Sequence, residues 1–219
     1  MSLKIIPTSD ESPTLYNDEL DETYHSRHGA YRESVYVYIK MGMDELTHLE
    51  NIKVFEMGFG TGLNQLLTWE FAEQHRIKVD VTTIELYPLE EEFWRQLTYY
   101  RNEEEHEIYN QLHEVEWEQE QVISEYLSIC KKKTSLFDFN ADEAFHIIYW
   151  DAFGPEVQPD LWTLEVFQKL FNFLKPGGIL VTYSAKGQVR RNMIAAGFDV
   201  SKLPGPPGKR EMLRAVKPI

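Results

Sequence analysis

A glycine triplet, Gly58-Phe59-Gly60-Thr61-Gly62, stands between two segments of different periodicity. Before it, Lys53-Val54-Phe55-Glu56-Met57 is a short apolar run of strand character. After it, Leu63, Leu66, Leu67 and Phe71 recur at helical spacing over residues 63–74. A strand that enters a helix through glycines narrows the chain to a few α/β folds, because the loop must turn tightly at the carboxyl end of a buried strand. The alternation then repeats. Residues 79–84 read as the next strand and 89–100 as the next helix, and a glutamate-rich helical stretch follows. Phe145-His146-Ile147-Ile148-Tyr149-Trp150 is an apolar run of the kind buried on both faces of a parallel sheet. Residues 161–174 form an amphipathic helix ended by Lys175-Pro176-Gly177-Gly178, with a strand over 179–183 and a helix over 186–196. Residues 198–202 and 211–216, joined by Pro204-Gly205-Pro206-Pro207-Gly208, are expected to pair as an antiparallel hairpin.

Such alternation requires a mostly parallel sheet with right-handed crossovers and helices on both faces. The closing hairpin tilts this α/β fold toward the Rossmann-like methyltransferase class, whose mostly parallel sheet is closed by an antiparallel strand. Residues 1–45 are polar and turn-rich, with short strands at Thr14-Leu15-Tyr16 and Thr23-Tyr24-His25 and a helix over 31–43. They are expected to form a small N-terminal extension packing over the cofactor site. Residues 46–219 are expected to form the Rossmann-like domain, the whole being one compact unit.

No run approaches the roughly 18 apolar residues of a membrane span, and the N-terminus lacks a signal-peptide pattern. With Cys130 as its one cysteine, the chain is expected to be cytoplasmic. Its seven histidines show no metal-ligand spacing, so no metal is expected. The net charge of -14 is unevenly spread. Residues 180–219 hold eight basic side chains (Lys186, Arg190, Arg191, Lys202, Lys209, Arg210, Arg214, Lys217) against Asp199 and Glu211, a net +6. A basic C-terminal face toward an anionic partner is therefore expected.

The glycine spacing is G-x-G-x-G, preceded by Glu56, rather than the G-x-G-x-x-G of a dinucleotide loop. An acid there would repel a pyrophosphate and suits the ammonium and sulfonium of S-adenosylmethionine, although any tight strand-to-helix turn also uses glycines. Glu85, at the end of the second strand, is placed for a ribose diol, a feature that nicotinamide enzymes share. Asp151, in Trp150-Asp151-Ala152-Phe153-Gly154-Pro155, stands at the end of a central strand and is the catalytic candidate. Methyl transfer to an amine is an in-line displacement needing a neutral nitrogen, which a carboxylate can orient and help deprotonate.

Taken together, Gly58-Phe59-Gly60-Thr61-Gly62-Leu63-Asn64, Asp151-Ala152-Phe153-Gly154-Pro155 with Pro159 and Trp162, Lys175-Pro176-Gly177-Gly178, and Gly208-Lys209-Arg210-Glu211-Met212-Leu213 resemble one family. It is the methyltransferase domain of the bacterial enzyme that completes 5-methylaminomethyl-2-thiouridine at the tRNA wobble position, and the resemblance runs from about residue 15 to 216. It implies transfer of one methyl from S-adenosylmethionine to the primary amine of a 5-aminomethyluridine. It implies that Asp151 contacts the amine or the cofactor, that Gly58, Gly60, Gly62 and Glu85 bind the cofactor, and that Tyr24, Ser26 and Glu33 close the site; Glu56 and Asn64, which flank the glycines, are cofactor-site candidates beside them. It also implies that Phe153 and Pro155 lie at the substrate, and that Lys186, Arg190, Arg191, Lys209 and Arg210 meet tRNA phosphates. Relatives place an adenine-binding acid after the third strand, where this chain has Ser135, with Asp138 as its substitute. The flavin domain of the bifunctional enzyme is absent from these 219 residues, so methylation without FAD is expected.

Two rivals use the same features. A polyamine-synthase-like aminopropyltransferase shares the glycine loop and strand-end aspartate and binds the decarboxylated cofactor, but Glu56 argues against it, and such an enzyme has no cofactor carboxylate to pair and no reason for a basic C-terminal face. A non-catalytic tRNA-binding module with a degenerate methyltransferase fold would account for Ser135.

Overall fold

The computed structural model describes residues 3–219. Its centre is an eight-stranded sheet formed by β4 (Asn51–Met57), β5 (Lys78–Ile84), β6 (Glu120–Val122), β7 (Leu127–Lys132), β8 (Phe145–Trp150), β9 (Leu174–Thr182), β10 (Asp199–Pro204) and β11 (Glu211–Val216). Their order is β10-β11-β9-β8-β4-β5-β7-β6. The five inner strands β9, β8, β4, β5 and β7 are parallel, while β11, β10 and β6 are antiparallel to their neighbours. From β4 the chain builds outward through β5 to β7, then returns to the other side of β4 with β8. The direction of build reverses between β4 and β8, and their carboxyl ends frame the crevice where such sheets bind ligands.

Both faces of the sheet are covered. On β8, Ile147 and Tyr149 join one apolar cluster with α2 (Leu63–His75), while Ile148 and Trp150 join the other with α5 (Leu164–Phe173) and α6 (Gly187–Ala195). The unbroken apolar reading of this strand follows from burial on both sides. The chain start forms a separate three-stranded antiparallel sheet, β1 (Leu3–Pro7), β2 (Pro13–Asn17) and β3 (Glu22–Thr23), followed by α1 (Ala30–Ser34) and a π-helical turn over Val35–Lys40. Leu15, Ala30, Val37 and Tyr38 of this segment are buried in the same cluster as Leu63 and Leu66 of α2.

The expected hairpin of β10 and β11 forms, with Leu203 opposite Met212. Two expectations need correction. The helix expected over 89–100 is only α3 (Glu91–Trp94), after which Leu97 and Tyr99 are buried at a spacing of two, which a helix cannot do on one face. Lys175-Pro176-Gly177-Gly178 belongs to β9 rather than to a turn: Phe145 pairs with Leu174 but Ile147 with Ile179, so the extra residues form an irregularity at the sheet's amino end. Strands β1, β6 and β7, and α4 (Glu103–Glu114) with its capping Asn102, complete the architecture.

Candidate active site

A cavity of about 770 Å³ opens at the carboxyl ends of β4 and β8, within the range of small-ligand sites. One wall is the glycine loop. Gly62 begins α2 with φ +75°, and a Cβ there would lie 2.7 Å from Nε2 of His113, so only glycine lets α4 approach the loop. The Tyr109 hydroxyl donates to Thr61 O at 2.8 Å and His113 Nε2 lies 3.1 Å from the same carbonyl. Burial holds the His113 imidazole down to about 3, so it is neutral and its Nε2–H is the donor. Gly58 has φ +87°, and Glu85 closes this end of the cavity: Oε2 accepts from Gly60 N (3.2 Å) and Oε1 from Tyr87 N (2.9 Å). Burial raises the Glu85 carboxyl, against the lowering effect of these amide donors.

Across the crevice stands Asp151, one residue beyond β8. Asn64, in the first turn of α2, donates through Nδ2 to Asp151 Oδ2 at 2.8 Å. The Tyr38 hydroxyl, on the π-helical turn, lies near enough to favour the carboxylate without meeting hydrogen-bond geometry, and is itself buried and unpartnered. Burial pushes Asp151 up to about 7; Tyr38 and Asn64 lower it, Glu33 raises it and Lys209 lowers it. A carboxyl so tuned gives up or takes a proton near neutrality.

The remaining walls come from the two ends of the chain. Tyr24 meets Phe153 edge to face at 5.1 Å, and Tyr183, at the end of β9, donates to Ala152 O at 2.9 Å. Glu33, though buried, is bound by Lys209 Nζ at 2.5 Å and by Ser26 N at 2.8 Å, and Lys209 lies 3.9 Å from the Tyr183 ring centroid.

Gly58, Gly60, Asn64, Glu85, Asp151, Phe153, Pro155, Glu33, Lys186, Lys209 and Arg210 all line this cavity. Other expected site residues do not. Glu56 shares the α2-facing side of β4 with Ile52 and Val54, is 1% exposed, and accepts from Thr83 Oγ1 at 2.6 Å, while its Oε1 has no hydrogen-bond partner. Burial pushes its carboxyl up to about 8, against Thr83, Gln65 and Asn64, so it is neutral at pH 7 and lies beneath the cavity wall. Gly62 serves packing rather than the wall. Ser135 Oγ and Asp138 Oδ2 lie 2.5 Å apart, bonded to each other beyond the end of β7 and outside the cavity. Arg190 and Arg191 sit on α6, away from it. The C-terminal cations are largely neutralised: Lys186 pairs with Glu156, Lys202 with Glu211, Lys209 with Glu33, Arg214 with Glu45 and Lys217 with Glu143. Arg190, Arg191 and Arg210 have no ion pair among the described residues. The residue-type reading missed Tyr38, Tyr183 and His25, which lines the cavity with its Nε2 3.3 Å from Thr61 Oγ1 of the glycine loop. Tyr183 ends an apolar strand just as Asp151 does, so the rule that selects one selects the other; Tyr38 carries no such signal. No group of three His, Cys, Asp or Glu among the described residues is placed to hold a metal ion, and no helix among them is long and apolar enough to cross a membrane.

A family model described as S-adenosyl-L-methionine-dependent methyltransferase matches residues 92–218, more than half of the chain. The chain belongs to this methyltransferase family. The match begins beyond the glycine loop and Glu85. The methyltransferase is 30% identical over 227 residues to the tRNA 5-methylaminomethyl-2-thiouridine biosynthesis bifunctional protein MnmC of Nitrosospira multiformis, covering 93% of this chain and 35% of that protein. It thus spans about a third of that relative's length. The structure matches the crystal structure of MNMC2 from Aquifex aeolicus with a TM-score of 0.80 and 25% identity, covering 98% of this chain and 70% of that one. Spermidine synthase from Thermotoga maritima, at TM-score 0.53 and 14% identity over 98% of this chain and 72% of its own, shares the fold alone.

Proposed function

We propose that this methyltransferase transfers one methyl group to the primary amine of a 5-aminomethyluridine, with or without 2-thiolation, at the wobble position of tRNA. The observation that carries the reading is Asp151: a carboxylate at the sheet's switch point, fixed by Asn64, facing the glycine loop across the cavity and poised to exchange a proton near neutrality. The likeness to MnmC and MNMC2 supports the acceptor.

The cavity fits the cofactor. Gly58 and Gly60 present bare backbone to it, and the Glu85 carboxylate, held by two amides, presents acceptors suited to a ribose diol. When bound, S-adenosylmethionine supplies a methyl on a sulfonium sulfur, already an activated leaving group, so the displacement calls for neither metal nor flavin. Asp151 attracts the substrate ammonium, orients it and takes one of its protons, which leaves a nitrogen lone pair for in-line attack. Tyr24, Phe153 and Tyr183 exclude water around that nitrogen, and Pro155 with Phe153 borders the uracil. Residues 1–45 serve as the cover of the site, and Arg190, Arg191 and Arg210 supply the charge for tRNA phosphates.

The test is methylation of tRNA bearing 5-aminomethyluridine by the purified chain and S-adenosylmethionine, read by nucleoside mass spectrometry. The expected product is the N-methylated nucleoside, with Asp151→Asn lowering the rate by roughly a hundredfold or more at unchanged thermal stability near pH 6. No methylated nucleoside from tRNA whose aminomethyl group has been verified would overturn the proposal.

A further inference from the structure

We propose that Glu33 and Lys209 are positioning residues for Asp151: their ion pair closes the roof of the cavity, and their opposed charges set how readily the Asp151 carboxylate takes a proton. The pair joins residues 176 positions apart, one on α1 and one in the β10–β11 turn. Surface ion pairs rarely matter, but this one is built in. Glu33 is 7% exposed, its Oε2 is used by Ser26 N, its Oε1 by Lys209 Nζ at 2.5 Å, and the ammonium is backed by the Tyr183 ring at 3.9 Å. Tyr183 in turn donates to the carbonyl of Ala152, next in sequence to Asp151. The pair is therefore anchored at one end to the N-terminal segment and at the other to the backbone that carries Asp151.

The titratable groups facing Asp151 are Glu33 from α1, Tyr38 from the π-helical turn, Glu56 from β4, Tyr183 from β9 and Lys209 from the closing turn. Tyr38 and Tyr183 are neutral across the working range, since burial raises both well above the usual phenol range. Glu56 is neutral until about pH 8. That leaves Glu33 and Lys209, joined as an ion pair at 2.5 Å, and they act in opposite senses: Glu33 favours protonated Asp151 and Lys209 favours the carboxylate. Charges lining a partly enclosed cavity act more strongly than in bulk water, and because these two act in opposite senses, loss of either one shows.

The consequence for catalysis rests on Asp151 receiving the substrate proton, but the electrostatic assignment can be read without substrate. The chain is labelled with 13C at the aspartate carboxyl, the Asp151 signal is identified by its loss in Asp151→Asn, and its titration midpoint is followed in the free protein. Glu33→Gln, which keeps an acceptor for Ser26 N, is expected to move the midpoint down by about one pH unit, and Lys209→Met to move it up by a similar amount. The double variant is expected to return near the wild-type midpoint and serves as the control for folding. Midpoints that stay put, or move in the same direction in both single variants, overturn the proposal, because a merely mechanical roof has no sign. If the midpoints move as expected while no variant, nor the wild type, methylates a verified substrate, the proposed function falls and the electrostatic assignment stands. With activity present, the acid limb of the pH–rate profile is expected to follow the midpoints.

Discussion

Glu56 shows how one side chain can be chemically apt and structurally elsewhere. An acid before the glycines suits a cationic cofactor, yet strand alternation puts Glu56 on the same side as Ile52 and Val54, and that period of two was available in Lys53-Val54-Phe55-Glu56-Met57. Its neutral, buried carboxyl has a consequence for stability. The folded-state value, about 8, lies above the usual 4.5, so the folded protein holds this proton more tightly than the unfolded chain. The resulting stabilisation is fully present below about pH 4.5 and is lost as pH rises through 8, a change of roughly 3 to 5 kcal/mol over the window. Glu56→Gln copies the protonated form, including an acceptor for Thr83 Oγ1. Thermal unfolding of the wild type relative to this variant is expected to be similar near pH 5 and to fall steadily behind by pH 8.5; parallel melting temperatures across that range would refute the assignment.

The glycine loop owes its shape to α4, which packs behind it. Tyr109→Phe removes one of two donors to Thr61 O and leaves His113, so the expected loss is about 1 kcal/mol in urea unfolding, with a several-fold weaker S-adenosylmethionine affinity by calorimetry. Unchanged affinity alongside lowered stability would show that α4 supports the fold without shaping the loop. Nothing in the sequence of α4 announces this role, because its exposed glutamates dominate the pattern and Tyr109 and His113 look like ordinary helix residues. The strands were legible where burial on two faces writes a continuous apolar run, as in β8, or where a run stops at glycines, as in β4. They were illegible where a charge sits inside. Strand β7 alternates inward Leu127, Ile129 and Lys131, and the last is 1% exposed because its ammonium caps the carbonyls of Leu112 and His113 at the end of α4. The placing of Asp151, Glu85, Gly58 and Gly60 at one cavity was readable because strand ends are where α/β sheets place ligands. Tyr38 was not, since its approach to Asp151 depends on a π-helical turn that no residue pattern marks.

The two ends of the chain meet over the cavity. Besides the Glu33–Lys209 pair, Tyr36 donates to Pro204 O at 3.1 Å, Arg214 pairs with Glu45, and Gly208 lies where a Cβ would strike the His28 ring. Contacts across nearly the whole length of the chain leave no trace in local sequence, and they change what the uneven charge means. Of the eight cations in residues 180–219, the five in ion pairs are held by acids from this same molecule, and a phosphate must displace an acid to reach them. Arg190, Arg191 and Arg210 are the ones that release only counterions and water on meeting a polyanion. On the proposed function, the salt dependence of tRNA binding by this chain of net charge -14 is therefore expected to be shallow, with a slope of log K against log salt of roughly -3 rather than the -7 or so that eight phosphate contacts would give. Arg191→Glu together with Arg210→Glu is expected to weaken binding and bring the slope to about -1, whereas Lys202→Gln, whose ammonium is already held by Glu211 at 2.7 Å, is expected to leave it unchanged. Fluorescence anisotropy over a salt series distinguishes these outcomes. A wild-type slope near -7, or a Lys202 variant as impaired as the double arginine variant, would mean that the ion pairs open on binding and that the whole C-terminal charge faces the nucleic acid.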